Sequence, residues 1–153
     1  METKRRSSVN VIIPARLFQR AQIYTWSREA KQRCFEEISL TAIVNFWPKL
    51  DPEWGDAGLD WIMQISTPRS EGMLLRHVQQ AAESVADYLL IKDKSVLVLC
   101  EAGKTRSVFF CVLVVSILNN SNYADALAYV KGRIPSMILK GFMIDWMRQQ
   151  DCS

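Results

Sequence analysis

Two apolar segments joined by a short polar loop constrain the fold more than any other feature of this sequence. Residues 95–99 form a nearly continuous apolar run, and residues 107–118 are apolar almost all round. A run of this kind is typical of a strand buried on both faces of a parallel sheet, and a helix without a polar face must itself be buried. The pair therefore predicts an inner strand that leads directly into a buried helix.

The rest of the chain alternates in the same way between strand-like and helix-like segments. Ser27 and Asn122 are predicted helix caps, and Gly132 is predicted to lie just beyond the end of its helix. The predicted strands are residues 9–13, 41–46, 61–65 and 95–99, and the predicted helices are residues 28–38, 73–91, 107–118, 123–131 and 139–148. This alternation indicates an α/β fold, in which a mostly parallel twisted sheet of four to five strands is flanked by helices.

The size and composition fit one globular domain. The chain has 153 residues, of which 49% are hydrophobic and 23% are charged, as in an average folded domain. We therefore expect a single domain over residues 1–153, with residues 1–8 flexible. No apolar run approaches the ~20 residues of a membrane span, and the basic first residues lead into no apolar signal core. We accordingly expect no membrane association and a cytoplasmic location.

Charge and cysteine content argue against two further classes. The net charge of +3 is too small to indicate a nucleic-acid-binding protein by itself, although it can help to attract anionic substrates. The four cysteines have no paired spacing, and the only histidine, His77, falls off the apolar stripe of its helix and is expected at the surface. No metal site and no cofactor are therefore predicted.

The loop between the two apolar segments carries the candidate chemistry. Ligands of α/β sheets bind at the carboxyl ends of strands, and that end here is Cys100, with Arg106 opening the helix. Gly103 permits the positive φ that a nest of backbone N–H groups requires. The helix N-terminus and the forked Arg106 guanidinium favour phosphate, and such donors also stabilise a thiolate. The loop therefore predicts a phosphate pocket with a nucleophile at its floor.

Three other interpretations fit parts of this loop. Residues 103–105 are similar to the end of a nucleotide-binding P-loop, but Val98 stands where that motif needs its first glycine. Cys100 also fits a buried residue at a strand end, since cysteine is often buried, although Gly103 and Arg106 at these offsets argue against so plain a role. A persulfide-carrying sulfurtransferase loop likewise lies between a strand and a helix, and the residues themselves leave that interpretation open.

Residues 96–107 resemble the signature of the cysteine-dependent dual-specificity phosphatases, a branch of the protein tyrosine phosphatase superfamily. Weaker similarities extend over nearly the whole chain: Arg16-Leu-Phe and Gln22-Ile to the opening strands of that family, residues 40–45 to its strand ending in asparagine, and Arg133-Ile-Pro135 with Gly141-Phe142 to its closing segment. The resemblance implies an enzyme that hydrolyses phosphotyrosine, phosphoserine or phosphothreonine of proteins through a phosphocysteine intermediate.

The resemblance also implies a role for each residue of the loop. Cys100 would be the nucleophile, Arg106 would bind the phosphoryl oxygens, and Ser107 would hydrogen-bond the departing thiolate. The backbone of the intervening residues would complete the phosphate cradle, namely Glu101, Ala102, Gly103, Lys104 and Thr105. The expected partner is a phosphorylated protein or another phosphate-bearing anion, and no cofactor is implied.

Two departures from the family pattern matter. The family usually has a histidine before the cysteine, where this chain has Leu99, so the loop is expected to be less firmly ordered. The family also places an aspartate general acid before the long helix, but residues 66–72 have Pro68 near that place and only Glu71 as a carboxylate. Asp56 and Asp60 are the alternative acids, provided that the long loop 47–60 folds over the site.

A missing acid favours a substrate whose leaving group is already a stable anion, because acid catalysis contributes ~10²–10⁴-fold to the departure of a poor leaving group. A pyrophosphate linkage has such a leaving group, and the RNA 5′-triphosphatase branch of the superfamily lacks the same acid. Lys104 similarly fits a multiply charged substrate. The alternatives are therefore a phosphatase of RNA 5′-triphosphate ends or inositol pyrophosphates, the one case with a nucleic-acid partner, and a catalytically weak phosphate-binding pseudophosphatase.

Overall fold

A five-stranded sheet forms the centre of the protein. The computed structural model describes residues 9–65 and 74–152. The strands are β1 (Asn10–Ile13), β2 (Leu17–Ala21), β3 (Ala42–Asn45), β4 (Trp61–Gln64) and β5 (Val96–Cys100), arranged in the order β1-β2-β5-β3-β4. The pair β1–β2 is antiparallel, whereas β2, β5, β3 and β4 run parallel to one another. The predicted α/β fold with a mostly parallel sheet is confirmed.

Helices cover both faces of the sheet. They are α1 (Arg28–Glu37), a 3₁₀ helix (Pro52–Asp56), α2 (Leu75–Leu89), α3 (Arg106–Leu118), α4 (Tyr123–Arg133) and α5 (Gly141–Asp151). One core cluster joins alternate residues of β5 to α2, α3, α4 and α5, and a second joins the remaining β5 residues to α1 and to Trp54 of the 3₁₀ helix. Because successive side chains of a strand point to opposite faces, the continuous apolar run of β5 supplies both clusters.

The buried helix α3 behaves as its composition predicts. Residues 106–116 of this helix are all buried, and α3 packs against α2, α4 and β5. Because this stretch of the helix has no solvent-facing side, the N-terminus of α3 is held at a fixed place beside the carboxyl ends of the strands. The central strand β5 ends on this same side of the sheet, at Cys100.

Two local predictions are wrong. Gly132 lies inside the last turn of α4, which runs on to Arg133; the Arg133 guanidinium lies 3.5 Å from the centre of the Tyr129 ring and donates to the Tyr129 carbonyl, and this contact extends the helix past the glycine. Residues 47–60 are not a plain loop, because Asp51 accepts a hydrogen bond from the Glu53 N–H and so caps the 3₁₀ helix that buries Trp54.

Some predictions lie outside the described residues. These are the flexibility of residues 1–8 and the position of the acid-bearing segment with Pro68 and Glu71. Within the two described ranges, no helix has both the length and the apolar character that crossing a membrane requires.

Candidate active site

Cys100 lies at the carboxyl end of β5, in the middle of the sheet. It pairs in register with Ala21 of β2, and the residue before it pairs with Asn45 of β3. The chain then makes a short series of bends and enters α3 at Arg106. Cys100 is only 2% exposed, so its thiol sits at the base of the loop rather than on its rim.

Gly103 brings this loop into direct contact with the neighbouring strand. Its φ is +70°, in the left-handed region, and a Cβ added there would lie 2.5 Å from the backbone nitrogen of Ala21. Only glycine fits both the conformation and the space. The tight turn that the sequence predicts at this position is therefore also a close approach to β2.

Ser107 lies directly against the thiol. Its Oγ is 3.0 Å from Cys100 Sγ, and both residues are buried. Gln19 of β2 donates a hydrogen bond of 2.7 Å from its Nε2 to the same Oγ and one of 2.8 Å to the carbonyl oxygen of Gly103. Gln19 was not predicted from the sequence, because β2 contains two adjacent polar residues, Gln19 and Arg20, and nothing local indicates which of them is buried.

Arg106 is oriented by the segment that follows β3. The residue is 6% exposed, and its Nη1 donates to the Phe46 carbonyl oxygen at 3.1 Å. The Phe46 N–H in turn donates to the Leu99 carbonyl at 2.7 Å, so the segment that holds the guanidinium is tied to the strand that carries the thiol. Nη2 lies 3.9 Å from Glu101 Oε1, a side chain that is 61% exposed.

The segment between α4 and α5 supports the other side of the loop. The Ile138 N–H donates to the Lys104 carbonyl at 2.8 Å, and the Thr105 hydroxyl donates to the Ile138 carbonyl at 2.6 Å. Lys104 itself is exposed. These bonds tie the loop to the segment before α5. Leu99, the residue before Cys100, is fully buried in the core cluster beneath α1.

The loop presents a row of backbone donors. In the part of the chain that the structure describes, the N–H groups of Glu101 to Thr105 donate to no protein acceptor. Thr105, at the N-cap of α3, makes no side-chain capping bond. Unsatisfied N–H groups at the start of a helix bind anions, and the helix dipole adds to that preference. The arrangement can therefore hold a phosphate-sized anion next to a thiol.

Asp60 does not reach this loop, so its prediction as an alternative acid is wrong. It lies just before β4, at the opposite edge of the sheet from Cys100, where its N–H donates to the Thr41 carbonyl. Its Oδ2 accepts hydrogen bonds of 2.7 Å from Lys94 and from Tyr88. The bond from Lys94 has the larger effect and that from Tyr88 the next; together they lower the pKa of Asp60, as expected of a paired surface carboxylate.

Asp56 is not brought to the loop either. It ends the 3₁₀ helix and lines a cavity of about 460 Å³ that lies against α1, on the sheet face opposite to α3. Phe35, Trp54 and Lys31 line the same cavity, and Cys100 does not. Among the described residues, Glu101 is the carboxylate paired with Arg106, and the position of Glu71 lies outside them.

The other thiols differ from Cys100 in their surroundings. Cys111 lies one helical turn beyond Ser107 and is fully buried. Burial raises the pKa of the Cys111 thiol, and the neighbouring Cys100 adds to the effect. Cys34 is also buried, whereas Cys152 is exposed near the end of α5. A thiol buried like Cys111 stays protonated at neutral pH and is a poor nucleophile.

The chain has the fold of the dual-specificity phosphatases of the protein tyrosine phosphatase superfamily. PTPMT1 in complex with PI(5)P superposes with a TM-score of 0.77 at 13% identity, over 94% of each chain. The PTP-2 phosphatase of Cydia pomonella gives 0.77 at 16% identity, over 93% of this chain and 89% of the other. Human DUSP28 gives 0.73 at 16% identity, over 94% and 93%. The predicted resemblance in fold is thereby confirmed.

The similarity is one of structure rather than of overall sequence. No protein-family model and no curated protein matches the chain. At identities of 13–16% the comparisons establish the fold alone.

Proposed function

We propose that this protein is a cysteine-dependent phosphatase that hydrolyses phosphate monoesters of proteins through a phosphocysteine intermediate. One observation carries the proposal: Cys100 Sγ lies 3.0 Å from Ser107 Oγ at the base of a loop that ends at the buried Arg106. The PI(5)P bound to PTPMT1 supports a phosphate-bearing ligand for this fold. The donors of the loop and the position of the thiol fit a phosphoryl group better than any other ligand class.

In the first step, the Cys100 thiolate attacks phosphorus while the ester oxygen leaves. A P–S bond forms, the P–O bond breaks, and the electron pair goes to the leaving oxygen. The three remaining phosphoryl oxygens face the N–H groups of Glu101 to Thr105 and the Arg106 guanidinium, which stabilise the charge spread over them in the transition state. Preorganised donors of this kind are effective because they need no reorientation during the reaction.

In the second step, water attacks the phosphocysteine. An O–P bond forms, the P–S bond breaks, and the electron pair returns to the sulfur of Cys100, while the proton of the water passes to the phosphate or to solvent. The Ser107 hydroxyl, already 3.0 Å from that sulfur, stabilises the departing thiolate by a hydrogen bond. Removal of that donor is expected to slow this step more than the first.

Activity against an aryl phosphate tests the proposal, because such a substrate has a good leaving group and needs little acid catalysis. We expect Cys100→Ser to abolish turnover and Arg106→Lys to lower kcat/KM by about 10²–10³, since a lysine cannot make the forked contact. Cys152→Ser is the matched control, because Cys152 is exposed and lies at the C-cap of α5, outside the loop. Wild-type turnover by Cys100→Ser would refute the proposal. Phosphopeptide binding without turnover in the wild type would instead indicate the pseudophosphatase.

A second candidate is a phosphatase of polyphosphate ends, such as RNA 5′-triphosphate or an inositol pyrophosphate. It is favoured by the positions of Asp56 and Asp60, neither of which supplies an acid to the loop, and by the exposed Lys104 within the loop. We then expect phosphate release from triphosphate-ended RNA to exceed release from phosphopeptides by at least about tenfold, and Lys104→Met to narrow that difference. Equal rates on the two substrates would exclude this candidate.

A further inference from the structure

Gln19 is a fully buried amide in the middle of β2. A buried amide is costly unless its polar atoms are paired, and each polar atom of this one is. Asn10 Nδ2 donates to Gln19 Oε1 at 2.9 Å, and Gln19 Nε2 donates to the Gly103 carbonyl at 2.8 Å and to Ser107 Oγ at 2.7 Å. The amide thus links the first strand of the sheet to the loop and to the residue beside the thiol.

The orientation of this amide follows from its partners. The Gly103 carbonyl can only accept a hydrogen bond, so the NH₂ group of Gln19 must face the loop. The two protons of that group serve Gly103 and Ser107, and Ser107 Oγ is therefore an acceptor toward Gln19. A hydroxyl has a single proton to donate, and Cys100 Sγ lies 3.0 Å from the oxygen.

The backbone carbonyls that could compete for this proton make no hydrogen bond with Ser107. A serine in a helix commonly donates to the carbonyl three or four residues earlier, which here means Lys104 or Gly103. In the described part of the chain, Ser107 Oγ bonds to neither of them: the Gly103 carbonyl accepts from Gln19, the Lys104 carbonyl accepts from the Ile138 N–H at 2.8 Å, and Cys100 Sγ is the other side-chain partner of this hydroxyl. The sulfur is left as the acceptor toward which the Ser107 proton turns.

We propose that Gln19 is a positioning residue that fixes the direction of the Ser107 hydroxyl, so that this hydroxyl donates to Cys100 rather than to the helix backbone. The inference rests on the proposed function for its catalytic consequence, since a donor held toward the sulfur stabilises the thiolate before attack and after the P–S bond breaks. Its structural content, the direction of one hydrogen bond, is independent of the substrate.

The substitution Gln19→Glu tests this directly, because the carboxylate has the same shape but accepts where the amide donates. The Ser107 hydroxyl would then turn to the carboxylate. With an aryl phosphate we expect kcat to fall by about 10- to 100-fold, which corresponds to the contribution of one hydrogen bond to a charged group. We also expect phosphocysteine to accumulate in a larger burst, as in Ser107→Ala. Wild-type kcat and burst in Gln19→Glu would overturn the proposal.

A double-mutant cycle separates positioning from general damage. If Gln19 acts through Ser107, Gln19→Glu in the Ser107→Ala background changes kcat by less than about twofold, because coupled residues are not additive. A double variant whose loss of kcat equals the product of the two single losses would contradict the proposal. Gln79→Leu is the matched control, and we expect its kcat to equal that of the wild type. Gln79 lies on α2, away from the loop, and its Nε2 donates to the hydroxyl of Tyr123 on α4 at 2.9 Å. Gln19→Leu, which fits the apolar face of β2, repeats the test if Gln19→Glu does not fold.

Thiol alkylation distinguishes the failure of this inference from the failure of the proposed function. Alkylation of Cys100 by iodoacetamide needs no phosphatase activity and reports on stabilisation of the thiolate. We expect Gln19→Glu to shift the pH dependence of Cys100 alkylation to higher pH, even if the protein proves to be a phosphate-binding module without turnover. An unshifted alkylation profile in Gln19→Glu would refute the role of Gln19 whether or not the wild type hydrolyses phosphate esters.

Discussion

Replacement of Gly103 by alanine probes the close approach on which the phosphate loop depends. The substitution puts a Cβ on a residue with φ +70°, 2.5 Å from the Ala21 backbone nitrogen and 3.0 Å from its Cα. The left-handed conformation alone costs about 1–2 kcal/mol for a residue with a Cβ. The clash adds about 1–3 kcal/mol, as in other overpacked sites, because the neighbour is strand backbone that cannot rotate aside.

Gly58→Ala is a control that isolates the clash. Gly58 has nearly the same φ, +72°, but a Cβ there meets nothing within 4 Å. We expect the free energy of unfolding, measured by urea denaturation, to fall by about 1–2 kcal/mol for Gly58→Ala and by about 2–5 kcal/mol for Gly103→Ala.

The activity of the two variants should differ more than their stability. The added Cβ in Gly103→Ala must move by at least about 0.5 Å to reach the closest contact that real Cβ atoms make, and a displacement of about 1 Å in a catalytic group can cost 10²-fold. We expect kcat/KM on an aryl phosphate to fall by about 10- to 100-fold in Gly103→Ala and to be unchanged in Gly58→Ala. Equal stability losses with full activity in both variants would refute this reasoning.

Three further predictions follow from charged and titrating groups. Lys31→Met should lower the free energy of unfolding by about 3–5 kcal/mol because it leaves the buried Asp51, 2.6 Å from Lys31 Nζ, without its partner; Arg28→Met, at an exposed pair, should cost less than about 1 kcal/mol, and equal losses would contradict this. Burial, assisted by the bond to Asp60, raises the pKa of Tyr88 to about 12. The folded state therefore holds this proton more tightly than the unfolded chain, so stability should fall from about pH 10 to 12 in urea titrations, and an equally steep fall in Tyr88→Phe would contradict it. Glu101→Gln removes a carboxylate 3.9 Å from Arg106 Nη2 and should raise kcat/KM for an anionic substrate about two- to tenfold at low salt and less at high salt; a decrease would show that this carboxylate takes part in the reaction.

The sequence was sufficient to predict the centre of the fold, because the relevant signals are local. The apolar run before Cys100 and the apolar helix after Arg106 can be satisfied only by an inner strand and a buried helix, and Gly103 between them is at the turn that needs a positive φ. These residues are close in the chain, so their spatial relation follows from strand, loop and helix geometry.

The contribution of Gln19 depends on the packing of distant segments. Gln19 is 84 and 88 residues from its partners Gly103 and Ser107, and they meet only because β2 pairs with β5 in one register. The prediction of Asp60 as an acid failed for a topological reason. A residue directly before a parallel strand lies on the side of the sheet where the strands begin, far from the carboxyl ends that carry the loop. The helix end near Gly132 was missed because the contact between Arg133 and Tyr129 outweighs a weak local signal.

The covalent intermediate is the most direct test of the whole account. Wild-type protein is mixed with an aryl phosphate, quenched in acid during the burst phase of the reaction, and digested. The mass of the peptide that carries Cys100 is then measured by mass spectrometry. The account predicts an added phosphoryl group on Cys100, its absence in Cys100→Ser, and a larger amount in Ser107→Ala. Turnover with no phosphoryl group on Cys100 in any of these proteins, or a phosphoryl group on another residue, would contradict it.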